Sequence, residues 1–231
     1  MKSVGKFNWT YLTSVDSTNE YAKRLDVHNA VVLAARQTAG KGRDGRRFES
    51  QTGGLYMSVV RKDGLTVQEC AKYYLAAPLA VVAALGKWGV VAQIKWPNDV
   101  WVGHKKIAGV LVETVWQEGI VQKAVVGIGV NVRNQLDRVP CAATSMKEEG
   151  AHSTPRKLAA EIAQRLDDYM RLSVSELVSA VKNKLLTLGK TVTFCDGREG
   201  VAGDISPDGR LVVRVCDRQV YVAAGDVTIK E

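Results

Sequence analysis

The chain has 231 residues, 46% hydrophobic and 24% charged, which suits one globular domain or one domain with a small appendage. Its formal net charge of +8 is concentrated in residues 1–185, because residues 186–231 hold six Lys and Arg against seven Asp and Glu. This basic excess could attract nucleic acid, but it suits equally an anionic small substrate or an acidic protein partner. No helix-turn-helix, zinc-finger or RNA-binding motif accompanies it, and we expect no specific DNA binding.

Secondary structure can be predicted in chain order. Ser17-Thr18-Asn19-Glu20 has the spacing of a capping box, in which Ser17 accepts from a backbone amide and Glu20 reaches back, and predicts a helix to about residue 25. Strands are predicted at residues 31–36 and 55–61, and an alanine-rich helix at residues 67–87, with Pro78 near a start or at a kink. Strands at residues 91–96, 100–102, 107–116 and 120–132 imply an antiparallel sheet, and helices follow at residues 155–172 and 174–188.

Beyond Gly189 the pattern changes to short alternating strands separated by turn residues. They are predicted at residues 191–195, 200–205, 211–216, 219–223 and 227–230. Five such strands close most simply into a small barrel. We therefore expect two domains, residues 1–187 and 188–231.

Targeting and redox signals are weak. No N-terminal segment has the pattern of a signal peptide, and the longest nearly apolar run, residues 73–86, suits a buried helix better than a membrane span. The four cysteines lie far apart without a C-x-x-C pair, so we expect neither a zinc site nor a disulfide framework. Reduced thiols point to the cytoplasm.

Residues 40–47, which we name the flap, have the sequence Gly-Lys-Gly-Arg-Asp-Gly-Arg-Arg and hold three glycines and four cations. The glycines satisfy G-x-G-x-x-G, but residues 48–54 read as a loop where a dinucleotide site needs a helix. A P-loop would need Lys and a hydroxyl residue where Arg46 and Arg47 stand. The flap is therefore interpreted as a flexible segment that binds an anion, the alternative being a solvated charged loop.

Three further motifs lie on the predicted strands. Lys95-Trp96-Pro97-Asn98-Asp99 would present its last two residues on a turn, either for binding or only for side-chain bonds to the backbone. Glycines on two strands, Gly109 and Gly129, would let a flat ligand approach the sheet, although tight sheet packing has the same signature. The second glycine strand ends in Asn131, and Lys106 precedes the first.

These motifs resemble those of biotin protein ligases in order and nearly in spacing. The resemblance extends to Ser17-Thr18-Asn19, Gln37 and Ala143-Thr144-Ser145-Met146 and covers most of residues 10–165. It implies an α+β fold, with a class II aminoacyl-tRNA-synthetase-like catalytic domain of mixed, largely antiparallel sheet and helices, followed by a small SH3-like β-barrel. It also implies a two-step reaction. Biotin and Mg-ATP give biotinyl-5′-AMP, and a lysine of a biotin carboxyl carrier domain then accepts the biotin.

The resemblance also implies residue roles. The catalytic residues would be Lys106 and Arg43. The biotin-binding residues would be Ser17, Thr18, Asn19, Gln37, Gly40, Arg43, Lys106, Gly109 and Gly129. The residues that bind ATP or the adenylate would be Lys41, Gly42, Arg43, Arg46, Phe48, Lys95, Trp96, Asn98, Asp99 and Asn131. Asn98 and Asp99 would hold Mg²⁺, which accompanies ATP as co-substrate, and no tightly bound prosthetic group is expected.

The sequence departs from the family pattern at two flap positions. Lys41 stands where an arginine is usual, and Asp44 where a cation is frequent, so we expect a weaker hold on the adenylate. With the pattern starting at residue 10, no room is expected for an N-terminal winged-helix domain or a repressor role. Exposed hairpin edges would allow a homodimer. The alternatives are a lipoate or octanoate ligase on the same scaffold and a basic nucleic-acid-binding module.

Overall fold

The computed structural model describes residues 2–4, 6–137, 139, 141–223 and 227–229. Its larger sheet contains eight strands, ordered β1-β2-β3-β4-β8-β7-β6-β5. The β2–β3 pair is parallel and the other neighbouring pairs are antiparallel. The strands are β1 (Lys2–Val4), β2 (Phe7–Leu12), β3 (Ala30–Ala34), β4 (Leu55–Arg61), β5 (Gln93–Lys95), β6 (Asp99–Val102), β7 (Lys105–Gln117) and β8 (Ile120–Val130).

Helices cover both faces of this sheet. They are α1 (Thr18–Lys23), α2 (Val67–Gly86), α3 (Pro155–Met170) and α4 (Val174–Lys182). Successive residues of β3 point to opposite faces, so that Val31 and Leu33 join the main core with α2 and α3, while Val32 joins a smaller cluster with Ala22 of α1. Because both faces are covered, all seven residues of β4 are buried. None of the helices in the described ranges is long and apolar enough to cross a bilayer.

Five short strands form a second, antiparallel sheet, ordered β12-β11-β10-β9-β13. They are β9 (Thr191–Phe194), β10 (Glu199–Ile205), β11 (Leu211–Val215), β12 (Arg218–Val222) and β13 (Val227–Ile229). The indole N–H of Trp96 donates to the Gly209 carbonyl at 3.0 Å, and Lys182 pairs with Asp204 at 2.6 Å, so the two sheets are tied together. The strand pattern predicted beyond residue 189 is confirmed.

Several local predictions need correction. Strand β2 was not predicted, and α2 continues through Pro78 as one helix of 20 residues. The helix predicted at residues 174–188 ends at Lys182, and the chain beyond it bridges to β5 through Leu185. Ser17 does cap α1, but the capping box is incomplete, because its N–H bonds to Asp16 at 2.7 Å instead of to Glu20.

Candidate functional site

A cleft of about 950 Å³ opens at one end of the larger sheet. Its walls are the flap, the start of α1, strands β5 to β8, and Thr228 and Ile229 of β13. Seventeen of the eighteen residues implied by the resemblance line it: Ser17, Thr18, Asn19, Gln37, Lys41, Gly42, Arg43, Arg46, Phe48, Lys95, Trp96, Asn98, Asp99, Lys106, Gly109, Gly129 and Asn131. The remaining one, Gly40, is the buried first residue of the flap and does not line the cleft.

One end of the cleft is a buried polar pocket at the start of α1. Thr18 donates through both its backbone N–H and its hydroxyl to Oε1 of Gln37, at 2.8 and 3.1 Å. Ser58, buried on β4, donates to Thr18 Oγ1 at 2.8 Å and to Asn19 Oδ1 at 2.5 Å. Ser17, Thr18 and Asn19 are each at most 4% exposed. This pocket therefore offers oriented, uncharged donors and acceptors to a small polar ring.

Gly40 and Gly127 support this pocket by close packing. A Cβ at Gly40 would lie 2.9 Å from Gln37 Nε2 and 2.5 Å from the Phe48 carbonyl oxygen. A Cβ at Gly127 would collide with the side-chain amide of Asn19. The lack of a side chain at Gly40 lets the flap start next to Gln37, and the expected contact of Gly40 with the ligand stays a prediction.

Lys106 occupies the middle of the cleft and is held firmly. Its ammonium group pairs with Asp99 at 2.7 Å. Its backbone is fixed on both sides, because Lys106 N–H donates to Ala142 O and Thr144 N–H donates to Lys106 O, each at 2.9 Å. An irregularity in the β6–β7 register, where Ile107 is the extra residue, lets Lys106 pair with Trp101. Such bulges often aim a side chain into a site.

The flap folds as a narrow loop over the cleft. Gly42 N–H donates to Arg46 O at 2.7 Å, and Phe48 N–H donates to Gly40 O at 2.9 Å. At its tip, Asp44 (φ 54°) and Gly45 (φ 71°) adopt the left-handed conformation, which glycine tolerates without strain. Arg43 is half-buried at this tip and lines the cleft, whereas the Arg46 side chain is 80% exposed.

Phe48 follows the flap and fills the space above the two glycine strands. A Cβ at Gly129 would lie 2.6 Å from Phe48 Cζ, and a Cβ at Gly109 would lie 3.2 Å from Phe48 Cε2. The Phe48 ring also contacts the edge of the Tyr56 ring, at 6.4 Å between centroids. The flat group that the two glycines admit in this structure is therefore the protein's own aromatic ring.

The two flap residues that depart from the family pattern, Lys41 and Asp44, each contact a nearby charged residue. Lys41 pairs with Glu20 of α1 at 2.6 Å, and Glu20 also pairs with Lys23 at 2.9 Å. Hydrogen bonds from Lys41 and then Lys23 lower the pKa of Glu20 to about 2. Asp44 contacts Arg46 at 3.4 Å. The flap is thus attached to the helix that carries the polar pocket.

Three other predicted residues also make bonds within the protein. Asn98 Nδ2 donates to Val110 O at 2.7 Å, as the structural reading of its turn suggested. Asn131 donates to Thr144 O at 3.0 Å and accepts from Asn134 at 3.1 Å. Trp96 comes directly after β5 and bonds through its indole N–H to Gly209 O, and the Trp96–Pro97 peptide bond is cis. Among the described residues, no group of three or more His, Cys, Asp and Glu side chains converges as a metal site would.

The sequence comparisons agree with this geometry. Residues 11–131 match the biotin/lipoate A/B protein ligase family, and residues 187–230 match the biotin protein ligase C terminal domain. The chain belongs to the biotin/lipoate ligase family. The biotin–[acetyl-CoA-carboxylase] ligase of Paracoccus denitrificans is 38% identical over 236 residues, covering 92% of this chain and 97% of the relative.

One further relative is longer than this chain, and one solved structure matches it over nearly its whole length. The bifunctional ligase/repressor BirA of Bacillus spizizenii is 37% identical over 136 residues, which cover 56% of this chain but only 42% of that protein. The biotin protein ligase from Aquifex aeolicus, solved in complex with biotin and ATP, superposes with a TM-score of 0.81 at 29% identity. That match covers 96% of this chain and 98% of the other, so both sheets follow the biotin protein ligase fold.

Sequence reasoning missed one residue that lines this ligase-family cleft, Trp101, and two that bond to lining residues, Ser58 and Glu113. Ser58 bonds to both Thr18 and Asn19, but a serine within a buried strand carries no local signal of that role. Glu113 accepts from Asn19 Nδ2 and from Lys23, each at 2.7 Å. Trp101 lines the cleft beside Lys106. Two sequence hints were available. Glu113 is an acidic residue on a strand that carries a glycine, and Trp101 is an aromatic residue two positions after the Lys95-Trp96-Pro97-Asn98-Asp99 motif.

Proposed function

We propose that the chain is an ATP-dependent biotin protein ligase. It would form biotinyl-5′-AMP from biotin and Mg-ATP and transfer the biotin to a lysine of a biotin carboxyl carrier domain. The observation that carries this proposal is the union, in one cleft, of a buried neutral polar pocket at Thr18 and Gln37 with cationic groups at Lys106 and on the flap. The matches to biotin ligases over nearly the whole chain support it.

In the first step, one carboxylate oxygen of biotin attacks the α-phosphorus of ATP, and the bond to the bridging oxygen breaks, so that pyrophosphate leaves. Both reactants are anionic, so the site must offset their repulsion and stabilise charge on the phosphoryl oxygens. Lys106 is fixed through its backbone and its pair with Asp99, so its ammonium group is already oriented. Arg43 on the flap supplies the second cation.

In the second step, the neutral amine of the carrier lysine attacks the acyl carbon of the mixed anhydride. AMP leaves, an amide forms, and the amine gives up a proton. Because water would hydrolyse the anhydride, the flap must cover it until the carrier arrives. Phe48 and the Lys41–Glu20 pair hold the flap in place by contacts at its two ends.

Mg²⁺ would enter with the nucleotide and neutralise charge on the phosphates. A nucleotide-bound Mg²⁺ needs only one or two protein oxygens, because water and phosphate supply the rest. Asp99 offers a carboxylate in the cleft, and Asn98 keeps its amide oxygen after donating through Nδ2. These two residues therefore fit the role of holding a Mg²⁺ that the nucleotide brings.

We further propose the finer assignments. The larger sheet with its helices is a class II aminoacyl-tRNA-synthetase-like catalytic domain over residues 1–187, and the second sheet is an SH3-like barrel over residues 188–231. The change of strand pattern near Gly189 supports a boundary there. The dispersed cysteines support a cytoplasmic setting with carrier domains, and a homodimer remains a proposal.

The test is to incubate the protein with biotin, ATP, Mg²⁺ and a biotin carrier domain. Mass spectrometry should show one added biotinyl group on the carrier, and none without ATP. Lipoate or octanoate in place of biotin should give no product, which separates this activity from its nearest alternative. Transfer of lipoate but not biotin, or strong oligonucleotide binding without any transfer, would replace the proposal.

A further inference from the structure

Trp101 carries a buried hydrogen-bond donor without an acceptor among the described residues. Its side chain is 8% exposed, and its indole N–H makes no hydrogen bond. By contrast, the indole N–H of Trp96 donates to Gly209 O at 3.0 Å, and that of Trp116 donates to Thr114 Oγ1 at 2.8 Å. A buried donor without a partner is unfavourable, and in native proteins it calls for an explanation such as a bound group.

Trp101 also lines the cleft, between two lysines. It pairs with Lys106 across β6 and β7, which places the two side chains on the same sheet face. The ammonium group of Lys95 lies 3.7 Å from the centroid of the Trp101 ring. The Trp101 side chain therefore has a lysine on each neighbouring strand, a setting that favours an anionic acceptor such as a phosphate oxygen.

The strand order indicates which part of the substrates would reach it. Going along the sheet, the polar pocket lies beside β8, then Lys106 on β7, then Trp101 on β6, then Lys95 on β5. If biotin lies in the polar pocket and its carboxylate meets the α-phosphate at Lys106, the β- and γ-phosphates extend toward β6 and β5. This step rests on the proposed function.

We propose that Trp101 is a substrate-binding residue whose indole N–H donates to a β- or γ-phosphate oxygen of bound ATP, the part that leaves as pyrophosphate. The Lys95 ammonium group over the same ring supplies positive charge beside that oxygen. Lys95 and Trp101 then bind the same leaving group from adjacent strands.

The test uses the full chain with the indole nitrogens labelled with ¹⁵N. Sequential assignment of the wild-type protein identifies the Trp101 indole resonance, and Trp101→Phe confirms it by its loss. Mg-ATP without biotin, and separately inorganic pyrophosphate, should move this resonance downfield more than those of the other four tryptophans. A Trp101 resonance that stays in place while Mg-ATP binds would overturn the proposal, whether or not the variant folds.

Binding measurements provide the second arm. By calorimetry, Trp101→Phe should raise the Kd for Mg-ATP about tenfold, because it removes one hydrogen bond to a charged group, and leave the Kd for biotin unchanged. Trp116→Phe at the exposed hairpin tip is the matched control and should change neither. Equal weakening of both ligands, or no weakening, would assign Trp101 to packing alone. Failure of the wild-type protein to bind biotin and Mg-ATP would instead reject the proposed function.

Discussion

Gly129→Ala should open the flap, because the new methyl group needs the space now filled by Phe48. The added Cβ would lie 2.6 Å from Phe48 Cζ, about 1 Å closer than carbon atoms pack. The Gly129 backbone is fixed in the β8 ladder, so the Phe48 ring must move. Phe48 is half-buried, and displacing its ring from the two glycine strands removes about 1 to 2 kcal/mol of apolar burial from the closed flap. The open population should rise about 5- to 30-fold.

Limited trypsin digestion measures this opening directly, since Lys41, Arg43, Arg46 and Arg47 give the flap four cleavage sites. When opening is fast relative to cleavage, the initial rate of flap cleavage follows the open population. If the proposed function holds, the half-life of enzyme-bound biotinyl-5′-AMP should fall by a similar factor. This second assay tests whether the packing of Phe48 against Gly129 helps to retain the intermediate.

Two variants make the test specific. Gly86→Ala, at the end of α2 with no atom within 4 Å of the added Cβ, should leave the cleavage rate unchanged. Phe48→Ala removes the obstruction, so adding Gly129→Ala to it should have almost no further effect. Equal cleavage of Gly129→Ala and wild-type protein, or additive effects in the double variant, would refute the reasoning.

Three further outcomes are expected. Lys106→Gln should slow pyrophosphate release in a single turnover with biotin and ATP by about 10² to 10³, and a rate within tenfold of wild type would remove Lys106 from the chemistry. Glu20 has a folded pKa of about 2, so its contribution to stability is complete above pH 4.5 and is lost as pH falls toward 2. Lys41→Gln should raise that pKa toward 4.5 in a carboxyl NMR titration, and an unchanged pKa would exclude the pair. Asn134→Ala should destabilise the protein by about 1 to 3 kcal/mol in urea, since it leaves Val132 N–H and Asn131 Oδ1 unpaired, and a wild-type midpoint would contradict this.

Local sequence signals predicted the long hairpin well. Strands β7 and β8 alternate and carry β-branched residues, and Glu118 and Gly119 between them both have positive φ, as a two-residue hairpin turn requires. The β2–β3 pairing was not predicted, because the strands of a parallel pair are not joined by a tight turn whose residues could be recognised in the sequence. Phe7 and Trp9 are buried, but Tyr11 is partly exposed, so the alternation in β2 extends over only a few residues.

The motifs located the cleft but not the partners within it. Their order placed seventeen residues around one cavity, whereas the bonds of Asn98 and Asn131 with Val110 and Thr144 depend on loops that meet only in the folded chain. Glu20 is the plainest example. Its spacing from Ser17 predicted a local capping bond, but Lys41, 21 residues away in sequence, offers a full charge and takes the carboxylate instead.

The Lys41 departure changes what the flap can offer a ligand. A lysine paired with Glu20 at 2.6 Å holds the flap to α1, so its charge is partly neutralised before any substrate arrives. The same helix carries Thr18 and Asn19. Glu113 accepts a hydrogen bond from Asn19 and pairs with Lys23, and Lys23 in turn pairs with Glu20. These contacts link the flap base to the polar pocket through charged and hydrogen-bonded groups. The positive charge that the flap itself presents to the cleft therefore comes mainly from Arg43, and we expect a ligand in the polar pocket to stabilise the closed flap through these contacts.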